Sequence, residues 1–365
     1  MRDDAAPTEA AFGLFDVASR GWSNVCNFFA LWNRRCIGLL LALAILIPWT
    51  PFSRSMPTMK PSYFALGTSP VSIVSFAFGA DGQTIATTDE SGRAIHWRAA
   101  EGWAPSPAFK FPGRAQVVAI SSDRHFLAIN GDQPHVAVWD LGRASRECSR
   151  RIPARSPSNL KLSPDGQTLA ISSYDSPEIV LWDVVADHER QTLKGHSAPV
   201  LHLSFAPDGR SLASATGRIA DSRILIWNLA NGRPERHITL PSAPQAMAYS
   251  PDSRLVASAS PHEKSVRIWD ARTGGPAQVI AGHSQSTRSV AFSPDGNLLA
   301  TGAGDGTAGL WSVVTGREIR RLDGQADVLR NVAFSPDGKT LAATANDGDI
   351  RFWDIDDVIA NVLDD

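Results

Sequence analysis

The histidines and cysteines are the residues of this chain best suited to chemistry. His196 and His283 each follow a glycine, and an imidazole there could act as a general base or bind a metal ion. The other histidines are scattered, and no HExxH, CxxC or other paired metal-ligand spacing occurs. Cys148 lies in the sequence ASRECSRR, without a recognisable nucleophile motif. We therefore expect no catalytic residue and interpret Cys148 as a bystander thiol.

Motifs that bind cofactors are also absent from the sequence. No G-x-S-x-G, Walker A or Rossmann glycine pattern occurs. Asp-Gly turns recur and could suggest calcium, but one carboxylate per separate turn cannot supply the six to eight oxygen ligands that Ca²⁺ takes. We expect neither a cofactor nor a metal ion, and we interpret the protein as a non-enzyme.

Composition excludes further classes of protein. The 365 residues include 35 Lys and Arg and 37 Asp and Glu, which gives a net charge of −2. Binding to nucleic-acid phosphates needs a surplus of basic residues, so we expect no nucleic-acid partner. Three cysteines exclude both a disulfide framework and a four-cysteine zinc site.

Tryptophan is used systematically. The chain has eleven tryptophans but only three tyrosines, and seven of the tryptophans recur at intervals of 42 to 45 residues. Each ends a short alternating apolar run, such as VAVW, ILIW or IRFW, which is typical of a half-buried strand. The seven are Trp97, Trp139, Trp182, Trp227, Trp269, Trp311 and Trp353.

Acidic turn residues keep the same period as the tryptophans. They follow apolar segments such as NVAFSPDG, in which proline presets φ and glycine tolerates a positive φ. One strand precedes each turn, a second follows it, a third ends at the tryptophan and a fourth leads to the next repeat. Four short strands in about 43 residues predict one blade of a β-propeller. The turn residues are Asp81, Asp123, Asp165, Asp208, Asp252, Asp295 and Asp337.

Residues 59–356 resemble WD-repeat β-propellers, which carry Gly-His, Ser-Pro-Asp-Gly and Trp-Asp landmarks at a period of 40 to 45 residues. Trp-Asp occurs in four of the seven repeats, and Gly-His occurs before His196 and His283. The resemblance implies an all-β fold with a seven-bladed propeller of four-stranded antiparallel blades. It also implies a non-enzymatic scaffold that binds proteins, either as a monomer or within a larger complex.

The resemblance implies a structural role for the two conspicuous histidines. In this family the Gly-His histidine joins a Ser or Thr, the Asp of the next tight turn and the Trp. Such a network satisfies buried polar groups and fixes the geometry of a blade. The matching residues are His283, Thr301, Asp305 and Trp311 in blade six, and His196, Ser214, Asp221 and Trp227 in blade four.

The remaining blades depart from this pattern. Blade seven has Gln325 and Ala343 in place of the histidine and the hydroxyl, so we expect a weaker network there. Blades one, two, three and five have no histidine at this position, and we expect them to rely on apolar packing.

The two ends of the repeat region are expected to meet. The last repeat supplies three strands, and the segment KPSYFAL before the first repeat can supply the fourth by pairing with residues 350–353. Such pairing removes exposed sheet edges, which otherwise promote aggregation. The C-terminal tail comprises residues 357–365, and the segment DDVIANVLDD, residues 356–365, is predicted to form a short helix.

The N-terminal segment differs from the repeats. Residues 36–53 contain no charge, and as a helix they would span roughly 27 Å, slightly less than a hydrocarbon core of about 30 Å. We interpret residues 36–53 as a transmembrane or signal-anchor helix between a tail at 1–35 and a linker at 54–58. The combination resembles bacterial WD-repeat proteins with an N-terminal anchor.

The side of the membrane follows from the flanking charges. Arg20, Arg34 and Arg35 precede the span and Arg54 and Lys60 follow it, which favours a cytoplasmic N-terminus and an extracytoplasmic propeller. The alternative is export after cleavage of the signal, although no A-x-A cleavage pattern follows the apolar run. Residues 8–33 are compatible with a membrane-surface helix or a plain juxtamembrane tail.

Partners of this family commonly dock on the face that carries the loops before each first strand. Arg288 and Arg330 fall on adjacent blades, and Arg is enriched at binding hot spots. Tyr174, Arg218 and His262 fall in neighbouring turns. A solvated rim without a partner is the alternative. Counting seven residues back from each turn Asp predicts the rim residues Val74, Gln116, Ser158, Leu201, Gln245, Arg288 and Arg330.

The sequence therefore leaves two hypotheses for the function of the protein. The first is a membrane-anchored scaffold whose propeller binds another protein. The second is an exported propeller that binds a small molecule, or acts as a hydrolase, through its central channel. Propeller enzymes place convergent polar groups or a metal at the channel mouth, and the repeats show no such cluster, so we favour the scaffold.

Overall fold

A computed structural model of the chain describes residues 64–66, 73–79, 82–98, 104–105, 109–121, 125–142, 148–218, 221–323 and 328–360. The predicted tail, span and linker at residues 1–58 lie outside the described residues. Within the described part of the chain, no helix has the length and apolar character needed to cross a bilayer.

The regular secondary structure of the described chain is β-strand, apart from one short helix. The strands of blades one to three are β2 Ile73–Phe78, β3 Thr84–Asp89, β4 Arg93–Arg98, β5 Ala104–Pro105, β6 Phe109–Lys110, β7 Ala115–Ile120, β8 Phe126–Gly131, β9 His135–Asp140, β10 Arg150–Pro153, β11 Pro157–Leu162, β12 Thr168–Ser173, β13 Ile179–Asp183 and β14 His188–Leu193. The strands of blades four to seven are β15 Val200–Phe205, β16 Ser211–Thr216, β17 Arg223–Asn228, β18 Arg233–Thr239, β19 Ala246–Tyr249, β20 Leu255–Ala259, β21 Ser265–Asp270, β22 Pro276–Ala281, β23 Thr287–Phe292, β24 Leu298–Ala303, β25 Ala308–Ser312, β26 Glu318–Leu322, β27 Leu329–Phe334, β28 Thr340–Ala345, β29 Ile350–Asp354 and β1 Phe64–Leu66.

These strands form seven antiparallel sheets, one for each tryptophan repeat. The first strand of every blade lines a central cavity, and the later strands follow in order toward the outer edge. The predicted seven-bladed propeller of four-stranded antiparallel blades is confirmed. Blade one differs in detail, because two short strands, β5 and β6, both pair with β4 at its outer edge.

The turn between the first two strands of a blade follows from its sequence. In blade six, Ser293 donates its hydroxyl to Asp295, whose carboxylate also accepts the N–H of Asn297 at 3.1 Å. Gly296 then takes a φ of +76°, a conformation that glycine adopts without strain. In blade five, Ser253 occupies the equivalent position with a φ of +61°.

The hydrophobic core is divided into clusters that each join neighbouring blades. Trp311 of blade six, for example, packs with Val266 and Ile280 of blade five. Between the last blade and the first, Ile350 and Phe352 pack with Ile85. Because the interior of every blade is shared with its neighbours, the ring is held together by the same apolar burial that folds the blades.

The ring closes as the sequence predicts. Strand β1 pairs antiparallel with β29, with Phe64 opposite Phe352 and Leu66 opposite Ile350. The first part of the predicted segment lies outside the described residues. The predicted tail helix is present as α1, Ile355–Ala360, and it begins directly after β29. Its apolar side chains Ile355 and Val358 are buried.

Candidate partner-binding face

The first strands of all seven blades surround a cavity of about 800 Å³ at the centre of the propeller. Hydrogen bonds between neighbouring blades set these strands at similar heights. The Val332 N–H donates to the Ser289 hydroxyl at 2.9 Å, and the Asn159 amide donates to the Leu201 carbonyl at 2.8 Å. Positions that match in the repeats therefore lie at similar depths along the cavity.

Five of the seven predicted rim residues line this cavity: Val74, Gln116, Gln245, Arg288 and Arg330. The prediction is wrong for blades three and four, where the following residues, Asn159 and His202, line the cavity instead. Ser158 is buried and donates its hydroxyl to the Val200 carbonyl at 2.7 Å. This hydrogen bond to the neighbouring blade holds the Ser158 side chain within the wall of the cavity.

Arg288 and Arg330 stand on adjacent first strands at the mouth of the cavity. The Arg330 side chain is exposed, and its Nε donates to the Asn346 side-chain oxygen. The Arg288 side chain is half-buried, and its Nε has no hydrogen-bond partner among the described residues. Both guanidinium groups therefore have donors left over for a ligand.

Lys161 and His202 also line the cavity, and the sequence analysis missed both. Lys161 is open to the cavity, yet the surrounding walls desolvate its ammonium group and lower its pKa. Burial lowers the pKa of His202 to about 4, and the nearby charge of Lys161 acts in the same direction. A hydrogen bond with Pro244 opposes this shift. The sequence does contain a signal for these two residues, because Lys161 and His202 interrupt the apolar runs NLKL and LHLSF.

Tyr174, Arg218 and His262 lie just after the second strands of their blades. A second strand runs antiparallel to the first, so it ends on the face where the first strand begins. All three residues are exposed and share this face with Arg288 and Arg330. We call this surface the mouth face.

The structure brings the residues of the blade-six network together. The hydroxyl of Thr301 is 2.7 Å from His283 Nε2 and also accepts the indole N–H of Trp311 at 2.7 Å. His283 Nδ1 is 3.3 Å from the Asp305 carboxylate, which also accepts the Ser284 N–H at 2.8 Å. Burial raises the pKa of Asp305, but these hydrogen bonds outweigh it and hold the pKa well below its usual range.

The blade-four network brings the matching residues together but lacks the hydrogen bond between histidine and aspartate. Ser214 lies 2.8 Å from His196 Nε2 and accepts the Trp227 indole N–H at 2.7 Å. His196 Nδ1 is 3.4 Å from Asp221, although it is not aligned as a hydrogen bond. Burial opposes ionisation of Asp221, but its ion pair with Arg223 at 2.6 Å keeps its pKa low. Burial also lowers the pKa of His196.

Apolar packing alone does not hold the tryptophans of blades one and five, which corrects the prediction for those blades. The Trp97 indole donates to Thr87 at 2.9 Å, and the Trp269 indole donates to Ser258 at 2.9 Å. Each hydroxyl stands opposite the residue two positions before its tryptophan, as Thr301 does in blade six. The Trp–hydroxyl bond thus persists without the histidine.

Blade seven shows the weaker network that its sequence predicts. Ala343 occupies the hydroxyl position, opposite Arg351. The Trp353 Nε1 is buried and has no hydrogen-bond partner among the described residues. No group of three His, Cys, Asp or Glu side chains that could hold a metal ion occurs within the described ranges.

Comparison with known proteins agrees with the geometry. The family model "WD domain, G-beta repeat" matches residues 188–228, 236–270, 274–312 and 316–354. The matched residues therefore carry WD40 repeats, and they supply most of the last four blades of the seven-bladed β-propeller.

Several curated proteins are similar to this chain. The Periodic tryptophan protein 2 homolog of Dictyostelium discoideum is 27% identical over 62% of this chain and 27% of its own length. An uncharacterized WD repeat-containing protein of Synechocystis is 30% identical over 40% of each chain. The Anaphase-promoting complex subunit cdh1 of Dictyostelium discoideum is 25% identical over 52% of this chain and 30% of its own length. The chain thus matches well under two thirds of the length of each relative.

Proposed function

We propose that this protein is a non-enzymatic scaffold whose propeller binds another protein through the mouth face. The observation that carries the proposal is the pair Arg288 and Arg330 on adjacent blades, with guanidinium donors left for a partner. Arginine is favoured at interface hot spots because its planar group forms several directed hydrogen bonds. The similarity to a subunit of the anaphase-promoting complex also supports a role in protein assembly.

Charge reversal at the mouth tests the scaffold proposal. We expect Arg288→Glu with Arg330→Glu to abolish capture of the partner from cell extract, because the contact surface changes sign. The melting temperature should change little, since neither side chain forms an ion pair with a described carboxylate and the Arg330 hydrogen bond to Asn346 lies on the exposed surface. The measurement is affinity capture with mass spectrometry, alongside thermal unfolding of the two proteins. Intact capture by the double variant would remove these residues from the interface.

We further propose that residues 36–53 anchor the propeller to a membrane, with the propeller outside the cytoplasm. The support is the uncharged stretch of eighteen residues and the arginines that precede it. Export after signal cleavage is the alternative.

A topology assay tests the anchor. A compartment-sensitive reporter fused after Asp365 should be active outside the cytoplasm and remain in the membrane fraction. Deletion of residues 36–53 should release the reporter from the membrane. A cytoplasmic reporter would reverse the orientation, and an exported but soluble one would favour cleavage.

A further inference from the structure

The central cavity carries positive charge in a chain whose net charge is −2. Lys161, Arg288 and Arg330 line it together with His202, and none of the described lining residues is an Asp or a Glu. No described carboxylate pairs with Lys161, Arg288 or Arg330. Unpaired cations that converge in a concave site attract anionic groups more strongly than the same charges on an open surface.

The cations extend along the cavity rather than forming one cluster. Arg288 and Arg330 are the second residues of β23 and β27, at the mouth, whereas Lys161 is the fifth residue of β11. At about 3.3 Å per residue, three residues of strand place Lys161 roughly 10 Å deeper than the arginines. An elongated ligand therefore fits the positions of these cations better than a compact ion such as free phosphate.

Uncharged polar groups complete the lining. The side-chain oxygens of Gln116, Asn159 and Gln245 are buried and have no hydrogen-bond partner among the described residues, and the same holds for Arg288 Nε. Carbonyl oxygens need a donor, which a fully ionised inorganic anion lacks. A peptide provides both groups, because its main chain carries N–H donors and acidic side chains carry carboxylates.

We propose that the cavity mouth receives an extended acidic peptide segment, whose carboxylates pair with Arg288, Arg330 and Lys161 and whose main-chain N–H groups bond to Gln116, Asn159 and Gln245. The proposal rests on the scaffold function and specifies the chemistry of the partner. An extended peptide advances about 3.3 Å per residue, so three to four residues reach from the mouth arginines to Lys161.

An octaglutamate peptide with a fluorescent label is the probe, titrated into the full chain in non-ionic detergent at about 150 mM salt. We expect saturable binding that Arg288→Gln with Arg330→Gln weakens at least tenfold, and that Lys161→Gln also weakens. The matched control is Arg272→Gln with Arg317→Gln, which removes the same charge from exposed turns outside the cavity. The control variant should bind within twofold of the unmodified protein.

Two further measurements distinguish an acidic peptide from an uncharged peptide and from a free anion. An octaglutamine peptide, which keeps the main-chain donors, should bind at least tenfold more weakly than octaglutamate. Inorganic phosphate at millimolar concentration should not displace the acidic peptide. Displacement by phosphate would overturn the peptide in favour of a free anion, and equal loss of binding in the control variant would reveal general charge attraction instead.

Failure of this inference is distinguishable from failure of the scaffold function. If octaglutamate does not bind while partner capture still depends on Arg288 and Arg330, the acidic segment is wrong and the scaffold stands. If no partner is captured while octaglutamate binds at the cavity, the cavity inference stands without the scaffold.

Discussion

At the residue scale, the second strand of four blades carries a hydroxyl that accepts the indole N–H of the repeat tryptophan. Thr87, Ser214, Ser258 and Thr301 each accept this bond, at distances of 2.7 to 2.9 Å. A buried donor without a partner costs about 1 to 3 kcal/mol, so the Trp353 indole is a local weakness of blade seven.

Ala343→Ser should correct this weakness. The new hydroxyl would stand where Ser214 and Thr301 stand in their blades, and it would accept the Trp353 N–H. We expect the free energy of unfolding to rise by about 0.5 to 1.5 kcal/mol, the usual net value of one hydrogen bond. Urea denaturation measures the change.

Thr301→Val is the reciprocal control. It keeps the side-chain volume but leaves the Trp311 indole and His283 Nε2 without their shared partner, so it should cost about 1 to 3 kcal/mol. If Ala343→Ser is neutral and Thr301→Val costs little, the Trp–hydroxyl bond does not stabilise the blades.

At the element scale, six of the seven first strands carry a β-bulge near their start. Register shifts occur at this point in β2, β7, β11, β15, β23 and β27. An extra residue interrupts the alternation of the strand and redirects its side chains. Strand number and order were predictable from the apolar runs. The cavity positions of Asn159 and His202 were not, because a residue count gives a position along a strand but not the direction of its side chain.

Strand β1 closes the ring, and its removal tests that role. A chain that begins at Gly67 loses the partner of β29, whereas a chain that begins at Met56 retains it. We expect the shorter chain to be less stable by about 1 to 3 kcal/mol, from the lost main-chain hydrogen bonds, and to aggregate through the exposed edge of β29. Thermal unfolding and light scattering of the two chains provide the comparison, and equal behaviour would show that β1 is dispensable.

At the scale of the whole molecule, the repeats predict the ring but not its charge. Seven tryptophans with turns in phase specify seven blades, because each blade repeats one local pattern and packs mainly on its neighbours. The cavity charge depends instead on single residues of different blades that meet only after closure. Lys161 and His202 are more than 40 residues apart along the chain, yet the charge of Lys161 acts on the His202 imidazole.

The stability of the propeller should depend on pH through its desolvated histidines, one of which lines the cavity. Burial places the pKa of His202 at about 4, below its ordinary value of 6.5, and the pKa of His196 is lowered in the same direction. The unfolded chain therefore binds more protons than the folded chain between pH 6.5 and 4. Stability is fully present above pH 6.5 and falls as the pH drops through this window. The lowered pKa values of Asp221 and Asp305 act only below about pH 4.

His202→Gln should reduce the acid sensitivity in this window. We expect the loss of unfolding free energy between pH 7 and 4.5 to shrink by about 1 to 2 kcal/mol. This value is discounted for solvent screening because the His202 imidazole is only half-buried. The matched control is His262→Gln, which removes an exposed histidine from the same face. Urea denaturation at a series of pH values measures how the unfolding free energy of each variant depends on pH. An identical pH dependence for His202→Gln and the unmodified protein would show that the cavity does not desolvate this imidazole. His202 would then be charged below about pH 6.5 and would add to the attraction that the cavity exerts on anions there.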